Sequence, residues 1–249
     1  APGAGLLPRA ARSGAAARGS LNPEGMESAA YHRPMLMNSL LAWSLAAFSL
    51  LLLVAYEGRL YWIGRHHPER TARYANVRLR MKWVTAMSSQ PGFEVVAVQA
   101  LRNTLMSATI SASTAALAVM GSVTLAGGSL AGKFTLGALD EQLHAVLQAM
   151  LVMTLFASYV CSAMAMRHYG HASFIMSMPV SSPERVTFTP AAVTHVHRAG
   201  LLYSWGLRLF LMAAPLVAGI VHPAAMPVVT VLLLVALHFF DQPALLDVE

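Results

Sequence analysis

A single cysteine, Cys161, stands in 249 residues, so no disulfide can form within the chain. It sits in an apolar stretch, where a lone thiol packs as a small hydrophobe. Charge is also scarce. Asp, Glu, Lys and Arg make up 11% of the residues against 56% hydrophobic ones, well below the roughly 25% charged share of a soluble domain. A water-soluble fold of this length would struggle to cover itself with polar groups. Catalytic signatures are missing too: the chain has no His-Glu-x-x-His, Cys-x-x-Cys or Gly-x-Ser-x-Gly, and no glycine-rich phosphate loop. Gly127-Gly128 reads as a helix stop. No stretch alternates with period two as a lipid-facing barrel strand would. These absences argue against an enzyme, a disulfide scaffold and a β-barrel.

What is present is a series of long greasy segments. Uncharged apolar runs lie at Met35–Tyr56, Thr104–Leu125 and His144–Met166, and a proline-broken pair follows at Trp205–Ile220 and Ala224–Phe240. The first three have the ~20 residues that an α-helix needs to cross about 30 Å of hydrocarbon. The expected fold is all-α, a polytopic membrane helix bundle of four to five transmembrane helices over residues 34–241. The last pair forms either a tight hairpin of two short spans around His222-Pro223 or one span plus a re-entrant helix. Five crossings with the N-terminus outside are preferred. Charge sets the orientation. The Glu57–Asn103 connection is rich in Arg, and Arg167–Ser204 is basic again, whereas Ala126–Leu143 has only Lys133 against Asp140 and Glu141. The positive-inside rule places the two basic connections on the cytoplasmic, matrix or stromal side.

Within the first connection, His67–Ser89 reads as a helix opened by Pro68-Glu69. Tyr74, Val77, Met81, Val84 and Ser88 share one face, and Arg70, Arg73, Arg78, Arg80 and Lys82 occupy the others. Such a basic interfacial amphipathic helix is expected to lay its cations on lipid headgroups or a neighbouring subunit rather than on nucleic acid. The second span is marked by small residues. Ser107, Ser111 and Ala115 stand four apart, as do Ala108, Ala112 and Ala116, with Gly121 beyond; this is the expected helix-packing face, near the centre of the bundle. Gln99, Arg102 and Asn103 bring polar groups to the start of the same span. They serve either as a structural anchor or as the lining of a polar pathway, and no acidic residue is expected mid-membrane to partner them.

The ten histidines show no metal-ligand spacing, so no metal is expected. His144, His222 and His238 are the candidates for a lone axial ligand to a chlorophyll or haem, and bound lipid is the other cofactor class left open. Residues 1–33 differ in kind. Arg9, Arg12 and Arg18 lie among Ala and Gly with no acidic residue before Glu24, which suits an organellar targeting segment. An upstream-misassigned start, with Met26 or Met35 as initiator, is the alternative. Residues 242–249 form a short acidic tail.

Three stretches, NVRLRMKWVTAM (Asn76, Arg80, Trp83, Met87), AVQALRNTLMSAT (Gln99, Leu101, Arg102, Asn103, Met106) and GLRLFLMAAPL (Gly206, Arg208, Phe210), resemble the DUF599 family of integral membrane proteins of plants, algae and bacteria. The resemblance runs from about Met35 to Asp241. It implies a multi-span helical fold and no assigned reaction or catalytic residue. The expected role is a non-catalytic subunit of a larger organellar complex, respiratory or photosynthetic, in the mitochondrial inner membrane or the thylakoid. The alternative is a small transporter or channel whose pathway runs past Gln99, Arg102 and Asn103.

Overall fold

The computed structural model describes residues 23–66, 72–126 and 139–242, and all regular structure among them is helical. Six helices follow in order: α1 (Pro23–His66), α2 (Ala72–Ser89), α3 (Glu94–Ala126), α4 (Leu139–Met176), α5 (Pro183–Val221) and α6 (Ala225–Asp241). The chain divides into two compact units, Ala1–Asn38 and Ser39–Glu249. The described part of the first is the opening of α1, and everything below concerns the second. Four segments are long and apolar enough to cross a membrane, Asn38–His66, Glu94–Leu125, Glu141–Met176 and Pro183–Val221, and α6 is a shorter apolar helix. The chain is an integral membrane protein built as a helical bundle.

The helices outrun the bilayer. At 1.5 Å per residue α4 and α5 each extend about 57 Å, close to twice the hydrocarbon thickness. Counted back from Val221, about 30 Å of hydrocarbon ends near Leu201. With Val221 taken as the far edge, the first half of α5 extends beyond the hydrocarbon on the basic side. The stretch Arg167–Ser204, expected as a connection, is mostly helix, and only Ser177–Ser182 between α4 and α5 is turn. The start of α5 obeys ordinary capping rules. The Ser182 side chain accepts a hydrogen bond from the Arg185 N–H at 3.1 Å, with Pro183 and Glu184 opening the helix. At the same far end, Gly92 adopts φ 87°, a left-handed conformation that glycine takes without steric penalty. It turns α2 back into α3.

Cross-helix contacts fix the register. His168 faces His195, the Ser158 hydroxyl meets the Gly206 carbonyl, and Leu147 lies near Gly219, so α4 and α5 are antiparallel. Thr109 meets Met166 and Ser111 meets Ser162, so α3 is antiparallel to α4. Buried positions on α4 recur at Leu151, Leu155, Ser158, Ser162, Ala165, Tyr169, Ala172 and Met176, alternating steps of four and three. On α1, Ser39, Ala42, Ala46, Ser49 and Leu53 do the same. A 3.5-residue period gives left-handed, knobs-into-holes packing, and the small side chains let backbones approach.

Two cores result. One, with Ala42, Ala46, Leu147, Leu151, Leu216 and Met226, joins α1, α4, α5 and α6 within the membrane. The other, with Val84, Leu101, Tyr169, Met176 and Val196, binds α2 and the start of α3 to the α4–α5 pair towards the basic side. Contrary to expectation, α3 is not central: it packs chiefly on α4 and only slightly on α5. The α4–α5 pair is the axis of the bundle, because its buried heptad stripe runs the length of α4.

Candidate functional site

Arg208 lies on α5 thirteen residues before Val221, about 20 Å from that end and about 10 Å inside the hydrocarbon boundary drawn above. A guanidinium at that depth is costly unless paired, and its side chain is only 8% exposed. Two carboxylates meet it. Glu57 of α1 accepts from Nη1 at 2.7 Å, and Asp241, the last residue of α6, accepts from Nη2. The Tyr56 hydroxyl donates to the other Asp241 oxygen at 3.0 Å. Three helices are thus tied at one level by a buried charge cluster. With both acids ionised the cluster carries one net negative charge. A cavity of about 450 Å³ opens beside it, lined by Asn76, Ser204, Leu207, Arg208, Phe240 and Asp241 among others.

This cluster was only partly visible in the sequence. The sequence places Arg208 in the third family-like stretch and Glu57 at the start of the first connection, and nothing in it brings the two together. Glu57 and Asp241 both end apolar runs, and helix packing brings them to the level of Arg208, near the basic edge of the membrane rather than at its middle.

A polar seam holds the α3–α4–α5 core close by, starting two residues from Arg208 at Gly206. Ser158 Oγ donates to the Gly206 carbonyl at 2.7 Å, and Ser111 and Ser162 share a hydrogen bond at 3.2 Å. A Cβ on Gly206 would lie 2.6 Å from Ser162 Oγ and 3.3 Å from the α4 backbone. Glycine is required there by close approach.

At the far turn Arg185 is 1% exposed. Its Nη1 donates to the Ile175 carbonyl at 2.7 Å and the Met178 carbonyl at 3.2 Å. The Ile175 carbonyl, in the last turn of α4, also accepts from the Met178 N–H at 3.3 Å, and the Met178 carbonyl belongs to the turn itself, so Arg185 fastens the end of α4 to the turn that follows it. The Val180 N–H donates to Glu94 at 3.3 Å, fastening the same turn to the start of α3.

The polar residues singled out on α3 lie elsewhere. Gln99, Arg102 and Asn103 are all exposed and line none of the cavities described here. Of the small-residue face, Ala108, Ala112 and Ala115 are buried, Ser111 and Ala116 half-buried, and Ser107 and Gly121 exposed. The face that packs follows the steps Leu101, Ala108, Ala112, Ala115 rather than a strict i, i+4 row. On α2, Arg78 and Lys82 are exposed. Arg80 is half-buried, beside Gly200, and lines a small cavity with Trp83, Leu101 and Tyr169. The apolar stripe expected on lipid is shared with protein, since Val84 is fully buried. The side chain of Arg73 and the whole of Arg70 fall outside the described residues, as do residues 1–22 of the arm and 243–249 of the tail.

The candidate pigment ligands do not converge. His144 is half-buried near the start of α4, His222 is exposed and its Nδ1 accepts from the Ala224 N–H at 3.2 Å, and His238 is exposed on α6. The histidines that do meet are His168 and His195, with Nδ1 atoms 2.9 Å apart, and His171, whose ring centre lies 5.3 Å from that of His195. No metal-binding cluster of three or more His, Cys, Asp or Glu occurs among the described residues.

The fold and this cluster define a class: a polytopic helical membrane protein whose spans are joined by a buried arginine–carboxylate tie. The chain belongs to the family described as protein of unknown function, DUF599, whose model matches residues 44–244. Neither a curated protein nor a solved structure matches it.

Proposed function

We propose that this protein is a non-catalytic membrane subunit that packs against a larger organellar complex, respiratory or photosynthetic. The observation that supports it most directly is the outward face of α3. Asn103, Ser107, Ile110, Thr114, Leu117, Gly121 and Thr124 recur in steps of four and three, and every one is exposed. Four of the seven, Ser107, Thr114, Gly121 and Thr124, are small or hydroxylated, which lipid does not require and a second helix packing at close range uses. The acid-free, arginine-bearing stretch before Glu24 supports the organellar part of the reading. Native electrophoresis of gently solubilised membranes, with mass spectrometry of the bands, tests it. Comigration with a respiratory or photosynthetic complex is the expected result, and migration alone or as a small homo-oligomer refutes it.

A second reading, a small transporter, draws support from the cavity beside Arg208 rather than from the exposed Gln99, Arg102 and Asn103. A transporter needs a water-accessible polar path reaching towards the middle of the membrane. Solute flux into liposomes that is lost in Arg208→Lys at unchanged thermal stability would favour it over the subunit reading.

A further inference from the structure

A groove of about 740 Å³ runs between α2 and α5 on the basic side. Its floor is apolar, built from Val77, Met81 and Val193, and its rim carries Arg78, Lys82 and His197. Arg78 and Lys82 are exposed and enter no ion pair among the described residues. The groove sits at a telling depth. His197 is four residues beyond Leu201, about 6 Å outside the hydrocarbon boundary and therefore within the headgroup layer. Tyr61 and Trp62, both well exposed on α1 just past Glu57, supply the aromatic belt expected at the same level.

We infer that this groove binds the headgroup and upper acyl chains of an anionic phospholipid from the leaflet on the basic side. A phosphate placed at the rim meets the ammonium of Lys82 and the guanidinium of Arg78, which together offer charge and several donors. His197 adds a ring N–H from the opposite wall. The glycerol and the first methylenes lie along Val77, Met81 and Val193. This pairing of cationic rim with apolar floor suits a molecule that is itself anionic at one end and greasy at the other. It fits a lipid better than a free phosphate, which would leave the floor bare. Arg80 takes no part, because its side chain lies beside Gly200.

The test uses the full chain, purified in mild detergent and delipidated, then titrated with phosphatidylglycerol or with phosphatidylcholine of the same acyl chains. Retained lipid is counted by native mass spectrometry. The wild type should retain phosphatidylglycerol preferentially. Each lost cation should lower that preference about fivefold, so Arg78→Gln with Lys82→Gln should nearly abolish it. The charge-preserving pair Arg78→Lys with Lys82→Arg should keep it, and Arg59→Gln with Arg65→Gln on α1 should leave it unchanged. The inference is overturned if neutralising the groove has no effect, if the charge-preserving pair loses the preference as well, or if the α1 pair lowers it equally.

Discussion

Replacing Arg208 by methionine should be among the most damaging single changes in the membrane half of the bundle. The new side chain fills similar volume, so the loss is electrostatic rather than a cavity. It leaves Glu57 and Asp241, about 18% and 19% exposed, buried without their cation. Removing one partner of a buried ion pair costs about 3–5 kcal/mol, because the surviving charge is stranded. The lower end applies here, about 3 kcal/mol, since Asp241 ends α6 and can swing towards the headgroups. Glu57 has no such exit, as it is held within α1.

The same physics predicts the rescue. Arg208→Met combined with Glu57→Gln and Asp241→Asn removes every stranded charge, and replacing a whole buried ion cluster is often near neutral. The triple variant should therefore be more stable than the single one by about 2 kcal/mol or more. The assay is reversible unfolding in mixed micelles of mild and denaturing detergent, followed by far-ultraviolet circular dichroism and tryptophan emission. If Arg208→Met alone proves as stable as the triple variant, the cluster is not the tie described here, and the argument fails.

Other changes have smaller or more local outcomes. Tyr56→Phe, which deletes only the hydrogen bond to Asp241, should cost about 1 kcal/mol in the same assay. Gly206→Ala should destabilise by about 1–3 kcal/mol through overpacking against rigid α4 backbone, whereas Gly170→Ala, whose new Cβ meets nothing within 4 Å, should be neutral or slightly stabilising. Arg185→Ala should cost about 2 kcal/mol by removing the charged hydrogen bonds to the Ile175 and Met178 carbonyls, and limited proteolysis should then cut faster within Ser177–Ser182.

The long apolar runs made the membrane fold legible, because span length is a property of composition that survives any detail of packing. The far halves of α4 and α5 were harder to read. Polar residues such as Arg167, His168 and His195 break the hydropathy signal at the membrane edge, yet they do not break a helix. The signal that does mark the boundary, Ser182-Pro183-Glu184, is a capping pattern, and it was present to be read. Packing was legible only in part. A four-residue rule finds Ala108, Ser111, Ala112 and Ala115 but also admits Ser107, which faces outward, as does Gly121 beyond the rows. The 3–4 alternation separates the two faces, and it also exposes the α4 stripe through Ser158, Ser162 and Ala165. The Arg208 cluster was least legible, because its three charges come from residues 57, 208 and 241 and only tertiary packing brings them to one level.

That placement carries a consequence for how the bundle holds together. The Glu57 and Asp241 contacts attach α1 and the end of α6 to α5 on the basic side of the membrane core, where the apolar core of α1 has given way to Tyr56. Nearer the other surface the same helices meet through Ala42, Ala46 and Met226, small or flexible side chains that gain little area on contact. In a bilayer such contacts have no hydrophobic driving force behind them, since lipid tails are as apolar as leucine. Directional bonds must then select the partner and the register. One arginine shared by two acids does this for α1 and α6 at once, and the Ser158–Gly206 and Ser111–Ser162 bonds do it for α3, α4 and α5. Arg208, Ser158, Ser111 and Ser162 thus each specify a helix pair, whereas buried Thr230 and Ser49 bond to carbonyls of their own helices and specify none.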